Sequence, residues 1–234
     1  MPKLNALIAG STGYIGVQLI KLLIKHKNIN IKYLCGNTSV GKNIATYEKS
    51  LNKNKLPKII KFKKSLLKNV DLIFTALPNG EAQVISKNLL KHNVLIDLAG
   101  DFRLNNAKSY FKWYKQKHKA IKNIKKSYYS IPEINGDKVN RYNIISCPGC
   151  YPTSILLPLI PIIKKNLIKV NNIIIDSKSG YSGAGRSVHK KYLNRNLYES
   201  LSAYGVGFHK HNSEIEQEIK SYTKKKFSFT FTPH

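Results

Sequence analysis

The chain has 234 residues, 42% of them hydrophobic, which is enough for one large domain or two small ones with a buried core. No run of 18 apolar residues occurs, so no membrane-spanning helix is expected. The formal net charge is +28, but only Arg103, Arg141, Arg186 and Arg195 of the 40 basic residues are arginines, and the lysines are spread along the whole chain. Nucleic-acid readers lean on arginine, so no specific nucleic-acid partner is expected; the lysines read as a solvated surface with a general attraction for anions.

The N-terminus lacks a signal-peptide cleavage pattern, and Cys35, Cys147 and Cys150 make no disulfide framework, so a cytoplasmic protein is expected. Residues 4–9 read as a short buried strand, followed by Gly10-Ser11-Thr12-Gly13-Tyr14-Ile15-Gly16. Ile15, Leu19, Leu22 and Leu23 then recur at helical spacing on one face. Strand, glycine turn and helix together form a dinucleotide cradle. Gly10 permits the turn, Gly13 the approach of a pyrophosphate, and Gly16 close packing of helix on strand. After a second strand at 31–35, the tip over residues 36–42 carries no acid for ribose hydroxyls but does carry Ser39 and Lys42. That composition suits a 2′-phosphate, so NADP is expected as cofactor. Further strands at 70–76 and 94–98, with a helix around 81–92 between them, imply a parallel sheet. Pro78, in Leu77-Pro78-Asn79-Gly80, and Arg103, in Gly100-Asp101-Phe102-Arg103, follow strand ends, where ligands of such sheets bind. Residues 104–130 show little pattern and read as a surface excursion, with Trp113 packing locally.

The stretch from Ser146 to Ser154 reads SCPGCYPTS. A strand at 143–146 precedes it, and Pro152 is expected to open a helix, placing Cys150 near a helix N-terminus whose dipole favours a negatively charged sulfur. Cys147 reads as a packed thiol. A zinc site needs four ligands and no second C-x-x-C exists, so no metal is expected. A thiol–disulfide enzyme carries its C-x-x-C near the start of a small domain, whereas here it follows a whole dinucleotide-binding unit. A strand at 172–178 leads into Ser179-Gly180-Tyr181-Ser182-Gly183-Ala184-Gly185-Arg186. There small residues allow close approach of backbone to a ligand, and Arg186 and Lys190 suit an anionic group. His209 and His211 lie just before Ser213 and Glu216, whose S-x-x-E spacing reads as a capping box, and either histidine suits a base for Cys150.

Together, GSTGYIG (10–16), LPNG (77–80), IDLAGDFRL (96–104), PGCYPT (148–153), SGYSGAGR (179–186) and HKHNSEIEQE (209–218) resemble the N-acetyl-gamma-glutamyl-phosphate reductases, NADPH-dependent enzymes of arginine biosynthesis. Aspartate-semialdehyde dehydrogenase is the related alternative, and a non-catalytic basic binding protein a third. The resemblance implies an α/β fold, with a Rossmann-type NADP-binding domain over residues 1–148 and an α+β catalytic and dimerisation domain over 149–234. It implies Cys150 as nucleophile, with His209 the favoured base and His211 its rival. The cofactor would lie on Gly10, Ser11, Thr12, Gly13, Tyr14, Ile15, Gly16, Ser39, Lys42 and Pro78, and on Ser182, Gly183 and Ala184. Substrate residues would be Arg103, Ser179, Arg186, Lys190 and Glu214. The implied substrate is a small acyl phosphate, and the implied assembly a homo-oligomer. The chain ends at FSFTFTPH, an alternating pattern where the family's sequence normally continues, so the second domain is expected to be incomplete.

Overall fold

The structure, a computed structural model, describes residues 2–186 and 200–234. Nine strands fall into two sheets. In chain order the first unit comprises β1 (Leu4–Ala9), α1 (Tyr14–Leu23), β2 (Ile29–Cys35), β3 (Ile59–Ile60), β4 (Leu72–Thr75), α2 (Glu81–Ser86), β5 (Val94–Asp97), α3 (Ala107–Tyr114), α4 (Ile121–Ile124), β6 (Ser127–Tyr129), α5 (Pro132–Asn135) and β7 (Ile144–Ser146). Its seven strands lie in the order β3-β2-β1-β4-β5-β7-β6, all parallel. The central strands are buried on both faces, as their continuous apolar runs require: Ala6, Leu7, Ile8, Ile73 and Leu95 are all fully buried. The second unit comprises α6 (Cys150–Lys164), β8 (Ile173–Ser177), α7 (Asn212–Tyr222) and β9 (Phe229–Pro233), with β8 and β9 parallel. Its core joins Ile155, Leu156, Leu159 and Ile160 of α6 to Ile215 and Ile219 of α7 and Phe231 of β9. Tyr129 and Ile131 of the first unit pack in the same core, so the two sheets share a junction. Among the described residues no helix is long and apolar enough to cross a membrane.

Several expectations are corrected. Helix α1 buries Gly16, Val17, Ile20 and Leu23, whereas Ile15 and Leu22 are exposed. Its sequence is apolar almost all round, so spacing alone does not choose the face that packs. Helix α2 stops at Ser86 rather than running to 92. Buried Asn93 holds the following turn, donating to the carbonyls of Leu67 and Val70 and accepting the amide of Leu90. Residues 104–130 are integral, not an excursion. Tyr110 is fully buried and stacks on Tyr114, and β6 extends the sheet beyond β7. Helix α6 begins at Cys150 with Gly149 as its N-cap, two residues before Pro152. Helix α7 begins at Asn212 with His211 at the cap, and Ser213 donates its hydroxyl to the Lys210 carbonyl, so the capping box does not form.

Candidate active site

The glycine turn joins β1 to α1. Gly10 has φ +85°, a left-handed conformation, and a side chain there would collide with the Ala76 carbonyl. A side chain at Gly16 would strike the carbonyl of Gly10, so helix and turn pack backbone to backbone. A Cβ at Gly13, by contrast, would meet only the Gly10 carbonyl at 3.6 Å. No side chain caps α1 and no acid lies in its first turn, so the N–H groups of its N-terminus are left for an anion. This cradle fits a pyrophosphate. Thr12 and Tyr14 are half-buried and Ile15 is exposed at this turn. Ser11 is turned inward: its buried hydroxyl donates to the Cys35 carbonyl at 3.1 Å, tying the turn to β2. At the β2 tip Ser39 is likewise turned inward, with its Oγ packed on Gly36, whereas Asn37, Thr38 and Lys42 are exposed. Pro78 stands exposed just beyond the residues that touch Gly10. The Gly80 amide behind it donates to the buried Asp101 carboxylate at 2.7 Å.

The turn that carries Cys150 lies where the two units meet. Cys150 is exposed at the first residue of α6, at the positive end of a fifteen-residue helix. The Cys147 thiol is mostly buried; burial first, then the Asp97 charge, pushes its pKa up to about 11. The main-chain polar groups of Cys147 and Gly149 are all occupied. The Cys147 amide donates to the Asp97 carbonyl at 2.8 Å, and the Cys147 carbonyl accepts Arg103 Nε at 2.9 Å. The Gly149 amide donates to Glu214 Oε2 at 2.9 Å, and the Gly149 carbonyl accepts the amide and the hydroxyl of Thr153.

Both histidines lie beside this turn. A Cβ on Gly149 would sit 2.5 Å from His211 Nε2, so the imidazole lies directly on the glycine that precedes Cys150. His209 packs edge-on against Tyr151, Tyr204 and Phe231 and 4.7 Å from His211. Its Nδ1 accepts the His211 amide at 3.2 Å, which assigns the proton of the neutral ring to Nε2. Burial, then Lys210, lowers its pKa to about 4. Burial, then Arg103, His209 and Lys210, lowers that of His211 to about 2. The 3.8 Å approach of His211 Nε2 to Glu214 is therefore a contact of a neutral ring and not an ion pair.

Of the expected substrate residues, Arg103 and Glu214 face each other. Arg103 Nη1 lies 3.2 Å from Glu214 Oε1, and the pair is buried. Ser179 is exposed at the end of β8, beside an exposed 3-10 turn over Tyr181–Ala184 that carries Ser182, Gly183 and Ala184. Arg186 spans back to the first unit, with its guanidinium carbon 4.6 Å from the centre of the Tyr14 ring. Lys190 lies outside the described residues. Sequence reasoning missed Tyr129, which donates to Glu214 Oε2 at 3.2 Å, and Lys210, whose ammonium lies 5.6 Å from the centre of the Tyr114 ring. A buried acid demands partners, but nothing in the sequence says which distant tyrosine supplies one.

Residues 5–142 match the family model described as semialdehyde dehydrogenase, NAD binding domain, and residues 150–234 that described as semialdehyde dehydrogenase, dimerisation domain. The chain is 40% identical over 230 residues to N-acetyl-gamma-glutamyl-phosphate reductase of Clostridium novyi, covering 97% of this chain and 67% of that protein. It is 38% identical over 227 residues to the probable chloroplastic N-acetyl-gamma-glutamyl-phosphate reductase of Arabidopsis thaliana, covering 97% of this chain but 57% of that one. The chain thus spans little more than half the length of that relative. Among solved structures, the aspartate semialdehyde dehydrogenase of Candida albicans with NADP superposes with a TM-score of 0.67 at 15% identity, over 99% of this chain and 67% of that one, a likeness of fold. An NAD-binding parallel sheet, a cysteine opening the first helix after it, and these relatives agree: the chain belongs to the semialdehyde dehydrogenase family, among the N-acetyl-gamma-glutamyl-phosphate reductases.

Proposed function

We propose that the protein reduces N-acetyl-gamma-glutamyl phosphate to the 5-semialdehyde with release of phosphate, using NADP(H). The observation that carries this reading is an exposed cysteine at a helix N-terminus, with two neutral imidazoles packed on its flanking residues, Gly149 and Tyr151. The Cys150 sulfur attacks the acyl carbon; a C–S bond forms, the C–O bond to phosphate breaks, and inorganic phosphate leaves with the electron pair. The thiol proton ends on the departing phosphate, and His209, neutral at pH 7 and with its proton on Nε2, donates that proton to the oxygen that gains charge and takes it back when the carbonyl re-forms. When bound, a reduced nicotinamide would supply the hydride that takes the acyl group to the aldehyde level, with the C–S bond breaking and its electron pair returning to the Cys150 sulfur. Thr12, Gly13, Tyr14 and Ile15 hold its pyrophosphate, and the exposed Thr38 and Lys42 beside Ser39 suit a 2′-phosphate, which favours NADP. Ser182, Gly183 and Ala184 present backbone near the nicotinamide, and Ser179 and Arg186 contact the substrate or the cofactor it meets. The dimerisation-domain match supports self-association, and three free cysteines suit a reducing compartment.

The reverse reaction tests the assignment: phosphate-dependent reduction of NADP with N-acetyl-glutamate 5-semialdehyde, followed at 340 nm. Cys150→Ser abolishes it and Cys147→Ser leaves it within about threefold. Equal or faster turnover of aspartate semialdehyde, or retained turnover in Cys150→Ser, would overturn the reading.

A further inference from the structure

Every side-chain polar atom of Glu214 and Arg103 is already engaged within the protein. Glu214 is fully buried; Oε1 meets Arg103 Nη1, and Oε2 accepts both the Gly149 amide and the Tyr129 hydroxyl. Arg103 is 8% exposed; Nε donates to the Cys147 carbonyl, Nη1 to Glu214 and Nη2 to the Leu98 carbonyl. The two residues therefore grip the nucleophile turn at both ends, at the carbonyl of Cys147 and the amide of Gly149, with Pro148 between them. They come from separate units: Arg103 follows β5 of the large sheet, and Glu214 is the third residue of α7, whose cap is His211. One carboxylate thus fixes the turn that carries the thiol and the helix start that carries an imidazole.

We propose that Arg103 and Glu214 are positioning residues that set Cys150 against its histidines across the junction of the two units, and not ligands of substrate. A buried ion pair contributes little to stability against an apolar pair of the same size, so its value lies in geometry, which five directed bonds supply here.

The inference rests on Cys150 being the reactive thiol, and one arm of its test needs no turnover. In a Cys147→Ser background, iodoacetamide labelling of Cys150 is followed by mass spectrometry from pH 5 to 10, for the parent, Glu214→Gln and Arg103→Met. We expect the labelling midpoint to move by about half a unit or more and kcat to fall about 100-fold, with KM within about threefold, because a displacement near 1 Å costs that much in an oriented reaction. Unchanged labelling with a KM raised tenfold would show substrate ligands and overturn the proposal. Should the single variants fail to fold, Tyr129→Phe removes one bond to Glu214 without stranding a charge. The expected labelling shift is then smaller and in the same direction, and labelling and turnover identical to the parent would overturn the proposal. Absence of turnover in the parent would refute the proposed reaction and leave the labelling arm readable.

Discussion

Gly149→Ala isolates the contact between nucleophile turn and imidazole. The backbone at Gly149 has φ −67° and ψ 163°, which alanine adopts without strain, and loss of the glycine's unfolded freedom alone would stabilise by about 0.4–1 kcal/mol. The obstacle is steric: the new methyl lies 2.5, 2.7 and 2.9 Å from Nε2, Cε1 and Cδ2 of His211. Ordinary contact is about 3.5–4 Å, so the ring must retreat by roughly 1 Å. It has little room, being buried, with His209 4.7 Å away on one side and Tyr151 5.9 Å on another. Such overpacking costs about 1–3 kcal/mol, and a 1 Å displacement in the site lowers kcat by about 100-fold. Urea unfolding gives the first number and the reverse reaction the second. Repeating both in a His211→Ala background identifies the cause, since the alanine at 149 then meets a cavity and its destabilisation disappears. A Gly149→Ala variant as stable as the parent, or an equal loss in both backgrounds, refutes the reasoning.

Burial raises the pKa of Glu218 to about 7, against 4.5 for the unfolded side chain, so the native state binds more protons than the unfolded one between those values. Stability therefore falls as pH rises from about 4.5 to 7, by up to about 3 kcal/mol; Glu218→Gln should stabilise at pH 8 and not at pH 4, and equal effects at both would refute this. The histidines run the other way. With pKa values near 4 and 2 they stay neutral at pH 5–8, so the acid limb of kcat/KM should lack a step near 6.5, and one that vanishes in His209→Asn would refute the assignment. Gly16→Ala drives a methyl into the Gly10 carbonyl; cofactor affinity measured by fluorescence titration should drop at least tenfold, and unchanged affinity would show that turn and helix can separate.

The parallel sheet was legible in the sequence because buried strands read as short runs of Ile, Leu and Val, and the cradle because three glycines sit at a fixed spacing after one of them. The placement of Cys150 and of the two histidines was legible through local chemistry, a cysteine at a helix entrance and an H-x-H before a helix. What escaped was decided at long range. Nothing near Arg103 says that its partner lies 111 residues away. Ser11 and Ser39 read as ligands from their place in loops, yet both are buried, and Ser11 donates to the Cys35 carbonyl. The short α2, closed by Asn93, and the buried Tyr110 in a stretch without period show the same limit: a side chain that braces a distant backbone leaves no mark on periodicity.

The charge of the chain acquires a different meaning once burial is known. Of 12 acids, Asp97, Asp101, Glu214 and Glu218 are buried, whereas Arg103 is the one basic residue buried among the described lysines and arginines. The lysines are thus a property of the surface, solvated and screened at physiological salt beyond about 8 Å. The buried acids each brace backbone or sit beside a group that does: Asp97 receives the amides of Ala99 and Phe102, Asp101 that of Gly80, Glu214 that of Gly149. Three of these anchor segments follow strands of the large sheet, at the carboxyl edge where ligands of such folds bind. A chain with few acids thus places several of them behind this edge, where each fixes a loop, and leaves the cationic surface as a general attractor of anions.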